Sequence, residues 1–177
     1  MDNKIEQLDK ISQDILKALL LYGPTSARQL AKKIPYSHQT IATKIKRLKE
    51  RGIIKDFLIL PNLHKLGYVV SEIHIKLGKV DKEKVTETLR TLALEPQVLY
   101  IAECAGAYDF IFSVAAQGIE GLHDTQYRIR EFLTKELDIK RWDTFIVTRE
   151  VKNKISAKLI GGDIDEDTVL RRSKRSR

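Results

Sequence analysis

The stretch Thr25–Gly52, TSARQLAKKIPYSHQTIATKIKRLKERG, determines how the N-terminal part of the chain folds. Its pattern predicts two helices joined by a tight turn. Thr25 carries a hydroxyl that can cap the first helix. Pro35 disfavours helical geometry in the residue before it, so the first helix should end at Ile34. Ser37 is then placed to cap the second helix.

The second predicted helix has one apolar side and one polar side. Ile41, Ile45 and Leu48 recur at i, i+4 and i+7, which indicates a single buried stripe, and Gly52 is a typical helix stop. Short polar groups followed by cations occupy the leading turn and the outer side: Ser37, His38, Gln39, Thr40, Thr43, Lys44 and Arg47. A helix that reads a DNA major groove needs polar tips for base edges and cations for phosphates. A solvated surface helix has a similar composition, but the paired helices and the short proline turn favour DNA.

Charge is distributed unevenly along the 177 residues. The net charge of +8 divides into +6 over residues 1–60, −1 over 61–152 and +3 over 153–177. The chain is 42% apolar, which is enough for proper cores in one domain or two small ones. The segregation of charge predicts a basic, nucleic-acid-binding head attached to a neutral body with another task.

Composition also bears on chemistry and location. The single cysteine, Cys104, excludes an intrachain disulfide and a multi-cysteine metal site, and it fits a buried strand position. Neither paired carboxylates nor a Ser/Cys–His cluster stands out, so we expect no catalytic residues, no metal and no cofactor. Because no apolar run approaches the roughly 20 residues needed to span a bilayer, we expect a cytoplasmic protein without membrane contact.

The flanking segments complete the first domain, residues 1–60. Residues 8–22 should form a helix capped by Asp9, and IIKDFLILPN after Gly52 predicts a strand that begins a small wing. Residues 61–67 then predict a short hinge helix.

From Tyr68 the pattern changes to alternation, and the second domain should span residues 68–152. Strands are predicted at 68–77, 97–105, 107–116 and 139–151, and helices from the Asp81 cap to about 95 and at 119–136. The order β-α-β-β-α-β predicts an α+β, ferredoxin-like fold, a four-stranded antiparallel sheet with both helices on one face.

The predicted strand at 97–105 indicates that the sheet binds a second copy of the chain. Alternation places Val98, Tyr100 and Ala102 on one face of their strand and Leu99 and Ile101 on the other, so both faces are apolar. Helices cover only one face, and a soluble monomer rarely exposes so large an apolar patch. A second copy of the sheet would cover it, which predicts a homodimer with two reading helices for a near-palindromic site.

Over about residues 8–152 the chain resembles the Lrp/AsnC family of prokaryotic transcription regulators. The matching motifs, in order, are Leu8-Asp9 with Asp14-Ile15-Leu16; Ser37 with Thr40-Ile41, Ile45, Arg47-Leu48 and Gly52-Ile53-Ile54; Leu66-Gly67; and Gly106-Ala107-Tyr108-Asp109. Two positions depart from the family pattern. Lys44 stands where many members carry arginine, and Cys104-Ala105 replaces a small hydroxyl residue.

The resemblance implies an N-terminal winged helix-turn-helix and a C-terminal ligand-sensing domain that dimerises through its sheet, with dimers that assemble further into octamers. It implies that the seven candidate readers given above contact double-stranded DNA. It assigns an amino-acid effector to the loop Gly106, Ala107, Tyr108 and Asp109. A plain β-hairpin turn explains the same four residues without a ligand.

Two other functions fit parts of the sequence. One is an architectural protein that compacts DNA with little sequence preference, which the basic head and tail allow. The other is an enzyme on the same scaffold, such as a sirohaem decarboxylase, which would need a basic pocket containing histidine. His64, His74 and His123 are scattered along the sequence, which argues against the enzyme.

The basic extension, residues 153–177, ends in five cations between Arg171 and Arg177. These could contact DNA phosphates or form a solvated chain end. If they contact phosphates, deleting residues 171–177 should lower DNA affinity and reduce the slope of log affinity against log salt by a few units. An unchanged slope in a salt titration would dismiss the phosphate contact.

Overall fold

The computed structural model describes residues 8–79, 81–153 and 155–160, and the chain divides into two compact units. The first unit holds the chain up to Leu60 together with the segment that begins at Lys152. The second unit spans Pro61–Val151. None of the helices in the described ranges is long and apolar enough to cross a membrane.

Three helices form the first unit: α1 (Lys10–Tyr22), α2 (Ala27–Leu30) and α3 (His38–Glu50). Asp9 caps α1, as predicted, by accepting a hydrogen bond from the Ser12 backbone N–H at 2.9 Å. The shared core of the three helices consists of buried side chains on all of them: Ile15, Leu16, Ala18, Leu19, Leu30, Ile41, Leu48 and, after α3, Ile54. Burial of this apolar surface is what holds such short helices in place, because isolated helices of this length are marginal in water.

The start and the length of α2 differ from the prediction. Ser26, not Thr25, is the capping residue, and it forms a capping box with Gln29. The helix makes a single turn, and the chain then continues in turns to Tyr36. Thr25 instead donates a hydrogen bond to the Gln29 side chain at 2.8 Å. After Leu30 the Lys33 and Ile34 N–H groups both donate to the Leu30 carbonyl and close these turns. Pro35 has no N–H with which to continue a helix.

The predicted strand after Gly52 is wrong. Residues 55–62 have no regular secondary structure, and Leu58, Ile59 and Leu60 are exposed. The residue types favour a strand, but a strand also needs a partner for its backbone hydrogen bonds. The only strands in the described ranges belong to the sheet of the second unit.

The second unit follows the predicted β-α-β-β-α-β order. A 3₁₀ turn at His64–Leu66 leads into β1 (Tyr68–Leu77), followed by α4 (Lys82–Leu92), β2 (Val98–Glu103), β3 (Phe110–Gln117), α5 (Gly118–Glu136) and β4 (Ile139–Ile146). The four strands form one antiparallel sheet in the order β2-β3-β1-β4. Asp81 caps α4 by accepting from the Glu83 N–H at 2.9 Å, as predicted.

One face of the sheet packs against both helices. The core joins the inward residues of the strands to α4 and α5: Ile73, Ile75, Phe110, Phe112, Val114, Leu89, Leu92, Leu122, Ile129 and Leu133. The alternate residues of the strands form the opposite face, which we call the open face: Glu72, His74, Lys76, Tyr100, Ala102, Ile111, Ser113, Asp143 and Phe145. This face is a mixture of polar and apolar side chains.

The predicted faces of β2 need a correction. The pairing of β2 with β3 shifts register between Val98 and Tyr100. An irregularity of this kind breaks the simple alternation of side chains. As a result Val98 packs into the helix-covered core together with Ile101, whereas Tyr100 is exposed.

The C-terminal extension is described only in part. A 3₁₀ turn at Ala157–Ile160 belongs to the first unit and packs against α1. The cations between Arg171 and Arg177, and the deletion experiment that concerns them, lie outside the described residues.

Candidate DNA-reading helix and effector loop

The outer side of α3 presents a line of exposed polar residues. Gln39, Thr43 and Arg47 are spaced at i, i+4 and i+8, so they lie along one stripe of the helix, and all three are exposed. The opposite side is anchored by Ile41 and Leu48, both fully buried in the core of the unit. Packing on one side therefore fixes which polar groups face outward.

The start of α3 uses two of the candidate readers as structural groups. Ser37 is the N-cap, and its Oγ accepts a hydrogen bond from the Thr40 N–H at 3.1 Å. The two hydroxyl oxygens of Ser37 and Thr40 lie 2.9 Å apart and share a further hydrogen bond. His38 is exposed beside them. The leading turn is thus held rigidly while its outer surface stays accessible.

Lys44 differs from the other candidates because its charge is paired. Its Nζ donates a hydrogen bond to Oδ2 of Asp9 at 2.6 Å, and the Lys44 side chain is mostly covered. The hydrogen bond from Lys44, followed by the one from the Ser12 backbone, lowers the pKa of Asp9 to about 2. Asp9 therefore both caps α1 and restrains a cation of α3.

A second contact joins α1 to the start of α3. The Tyr36 hydroxyl, one residue before the Ser37 cap, donates a hydrogen bond to Asp14 at 2.8 Å. That hydrogen bond raises the pKa of Tyr36, because losing the phenolic proton would place a second negative charge beside the carboxylate. Asp9 and Asp14 thus brace α3 and its start at two points. Neither brace could be predicted from local spacing, because they join residues 35 and 22 positions apart.

Lys46 is a further exposed cation of α3, outside the seven predicted readers. It follows Ile45 on the outer side of α3, and its Nζ lies 3.8 Å from Oε1 of Glu50. A helical-wheel projection would have placed it close to the stripe of Thr43 and Arg47.

The effector-loop motif connects β2 to β3. The Cys104 N–H donates to the Asp109 carbonyl at 2.7 Å and closes the loop. Gly106 has a φ of +145°, which L-residues with a side chain rarely adopt, and open space surrounds it. Backbone conformation therefore explains this glycine. Gly106 and Ala107 form an exposed tip.

Asp109 holds the loop to the end of β1. Its carboxylate accepts from the Leu77 N–H at 2.6 Å and from Lys76 Nζ at 2.9 Å, and its own N–H donates to the Ile75 carbonyl. The Leu77 hydrogen bond, with help from Lys76, lowers the pKa of Asp109. Both carboxylate oxygens are therefore occupied by contacts within the chain.

Tyr108 holds the other side of the loop to β4 and the open face. Its hydroxyl donates to Asp143, which raises the pKa of Tyr108, and Asp143 also pairs with Arg141 at 2.8 Å. The His74 and Tyr108 rings form a T-shaped contact at a centroid distance of 5.0 Å. Any ligand that displaced Tyr108 would therefore disturb β4.

The histidines of the second unit do not share a site. His74 lies on the open face, where its Nε2 contacts Glu72 at 2.6 Å. His123 is exposed on α5, which covers the other face of the sheet, and His64 is exposed in the turn before β1. A pocket lined by several histidines would require them to converge.

Comparison with known proteins matches both units. Residues 8–55 match the family model for a winged helix-turn-helix DNA-binding domain. Residues 72–156 match the model for an Lrp/AsnC ligand binding domain. The two matched domains, on this fold, therefore define a DNA-binding transcription regulator with a ligand-binding domain.

Two relatives come from archaea of the genus Pyrococcus. The HTH-type transcriptional regulator FL11 of Pyrococcus horikoshii is 31% identical over 117 residues, which cover 66% of this chain and 76% of FL11. An uncharacterized HTH-type transcriptional regulator of Pyrococcus abyssi is 31% identical over 131 residues, which cover 74% of this chain and 86% of that protein. The chain belongs to the Lrp/AsnC family of transcription regulators.

Solved structures share the fold. The crystal structure of PH0061 has a TM-score of 0.72 at 25% identity, covering 85% of this chain and 99% of its own. Escherichia coli AsnC has a TM-score of 0.67 at 24% identity, covering 86% of this chain and 99% of its own. The complex of a Neisseria meningitidis regulator with L-Met has a TM-score of 0.69 at 18% identity, covering 85% of this chain and 96% of its own.

Proposed function

We propose that this regulator recognises a specific DNA sequence through α3, with Gln39, Thr43 and Arg47 as its central contacts. The observation that carries the proposal is their exposure along one stripe of a helix whose opposite side is fully buried. Side-chain amides and hydroxyls discriminate base edges, and arginine binds guanine or phosphate. His38, Ser37 and Thr40 flank the stripe at its start, and Lys44 joins it when released from Asp9.

The decisive experiment for sequence-specific regulation compares a selected site with random DNA. A binding site is first selected from a random duplex library, and affinities for it and for an unrelated duplex are then measured at one fixed salt concentration. Regulators bind their sites about 10³-fold or more tighter than random DNA. A ratio below about 10 would favour the compacting function instead.

The functional oligomer in this proposal is a homodimer formed through the open face, with octamers as a further assembly. Exposed Tyr100 and Phe145 on that face support it, because burying such side chains against a second copy is favourable. A dimer brings two reading helices to one duplex. Because a regulator must reach the DNA of the cell, we propose that the protein is located in the cytoplasm.

The proposed effector is a small amino acid that binds at the Gly106–Asp109 loop. Support comes from the match to a ligand binding domain and from the L-Met complex of the Neisseria neighbour. The exposed tip at Gly106 and Ala107 is accessible to a ligand. Size-exclusion chromatography with each amino acid in turn, repeated alongside DNA binding, tests this part separately.

A non-enzymatic role completes the proposal. A sirohaem decarboxylase would need histidines that converge on a carboxylated macrocycle, and His74 and His123 lie on opposite sides of the sheet layer. Absorbance of the purified protein with added macrocycle tests the enzyme reading directly. If the absorbance showed that the macrocycle binds and the macrocycle lost carboxyl groups, transcription regulation would not be the protein's sole function.

The ion pair between Asp9 and Lys44 leads to a prediction for non-specific binding. Replacing Asp9 by Asn retains a capping side chain but removes the charge that restrains Lys44. Affinity for random duplex should rise about threefold to tenfold, and the salt slope should steepen by about one unit, because one more cation meets phosphate. Titrations of a random duplex at several salt concentrations measure both quantities.

Asp14→Asn is the matched control, since it removes the same charge from α1 and leaves an acceptor for Tyr36. It should leave the salt slope unchanged. The pKa of Asp9 is lowered to about 2, so the stability that its charge contributes is present above about pH 4 and is lost as pH falls toward 2. The difference in stability between wild type and Asp9→Asn should shrink over that range. Equal salt slopes for both variants would show that Asp9 does not restrain Lys44.

A further inference from the structure

The middle of α1, residues 15–19, is buried on every side. The five consecutive residues Ile15 to Leu19 are each less than a tenth exposed, and Lys17 is among them. Five consecutive positions cover more than one full turn of 3.6 residues, so no face of this segment remains open. A helix in a three-helix unit normally buries one stripe and leaves the other side to solvent. Something besides α2 and α3 must therefore cover α1.

Among the described residues of this unit, the 3₁₀ turn at Ala157–Ile160 adds such cover. This turn packs against α1, and Ile160 contacts the same core that holds Ile15 and Leu16. Ala157 is 1% exposed, whereas Leu159, two residues later, is 78% exposed. The turn thus presents one side to α1 and the other side to solvent, as a docked segment does.

The position of this turn in the chain connects it to both functional regions. It begins directly after the end of the match to the ligand binding domain, and residues 147–156 connect it to the end of β4. β4 carries Asp143, which holds Tyr108 of the effector loop. α1 carries Asp9 and Asp14, which brace the reading helix. The chain therefore joins the two units at two places, at Leu60–Pro61 and at Val151–Lys152.

We propose that the segment 157–160 is a clamp, occupying a docking surface on α1 and keeping the reading helix in its DNA-binding geometry. The clamp rests on the proposed function, because its purpose is DNA affinity. Docked, it fixes α1 and hence the two carboxylates that brace α3. Undocked, α1 loses the cover that this turn provides, and the braces loosen. The chain from β4 to this segment is also the second covalent connection between the units. A change at the effector loop can therefore reach α1 through β4 and the clamp.

The test compares two variants of the full-length chain, Ala157→Asp and Leu159→Asp. Both add one negative charge to the same turn, so any general repulsion of DNA is common to them. An unpaired carboxylate is strongly disfavoured at the buried position, so Ala157→Asp should undock the turn. Ala157→Asp should bind a selected DNA site about tenfold more weakly than Leu159→Asp, because the loosened helix must be ordered on binding.

Amide hydrogen exchange supplies a readout that does not depend on DNA. Ala157→Asp should speed exchange in α1 and leave the β1 and β3 amides unchanged, which also shows that the second unit remains folded. A milder variant, Ile160→Ala, should change both readouts in the same direction by a smaller amount.

Equal DNA affinity for Ala157→Asp and Leu159→Asp would overturn the clamp, and so would equal exchange in α1. If the wild-type chain showed no preference for any DNA site, the proposed function would fail. The exchange comparison would still decide whether the turn docks on α1.

Discussion

Replacing Arg47 by Glu is expected to weaken binding to a selected DNA site by about 100-fold at moderate salt. Arg47 is exposed at the end of the stripe that begins at Gln39 and Thr43. The substitution removes one cation from the DNA face and adds an anion, so a phosphate contact becomes a repulsion. The slope of log affinity against log salt should fall by about two units. Fluorescence anisotropy of a labelled duplex over a range of salt concentrations measures both quantities.

Lys135→Glu is the matched control, because it makes the same change of charge at an exposed position on α5 of the other unit. It should alter DNA affinity by less than about threefold, since Lys135 does not belong to the unit that carries the candidate readers. Size-exclusion chromatography of both variants checks the oligomer. If Arg47→Glu dissociated the oligomer, or if both variants lost affinity equally, α3 would not be the reading helix.

The elements around α3 could be predicted because their signals are local. The Ser37 cap, the spacing of Ile41 and Leu48, and the Gly52 stop all act within a few residues of the helix. Asp9 was predicted as a cap for the same reason. Its second role, holding Lys44, depends on how two helices cross, and no spacing rule encodes that crossing.

In the sheet of the second unit, too, local features could be predicted from the sequence, whereas contacts between elements could not. Alternation located β1 within its observed bounds, and the βαββαβ order led to the correct topology. The side of β2 on which Val98 lies could not be predicted, because a register shift depends on pairing with β3 rather than on β2 itself. The strand predicted after Gly52 was wrong for a related reason. Residues 53–60 favour a strand, but residue preference does not supply a pairing partner.

The docked turn at Ala157–Ile160 is the feature furthest from any sequence signal. An isolated AKLI segment carries no strong preference, and the site that it covers lies on a helix more than a hundred residues earlier. One weak signal existed in α1, where the apolar face was broader than two neighbouring helices require. A broad face on a short helix indicates a further packing partner, without saying which segment provides it.

The largest effect on stability is expected at Phe112, in the middle of the sheet. Phe112 is fully buried, with ring centroids 6.1 Å from Phe110 and 5.9 Å from Trp142. Phe112→Ala should lower the free energy of unfolding of the second unit by about 3–5 kcal/mol, because it removes buried contacts and leaves a cavity. Trp142 is the only tryptophan in the chain, so its fluorescence during urea unfolding reports this unit alone.

Phe145→Ala makes the same deletion on the open face and separates folding from dimerisation. Phe145 is 52% exposed, and its ring meets the His74 ring at 5.0 Å. Within a single chain its loss should cost less than about 1 kcal/mol, since about half of the residue already faces water. If the open face pairs two copies, however, the ring becomes buried in the dimer. The Phe145→Ala variant should then dissociate at protein concentrations at which the wild type stays dimeric. Sedimentation equilibrium at matched concentrations measures this shift. A Phe145→Ala protein that is as dimeric as wild type would place the dimer interface on another surface.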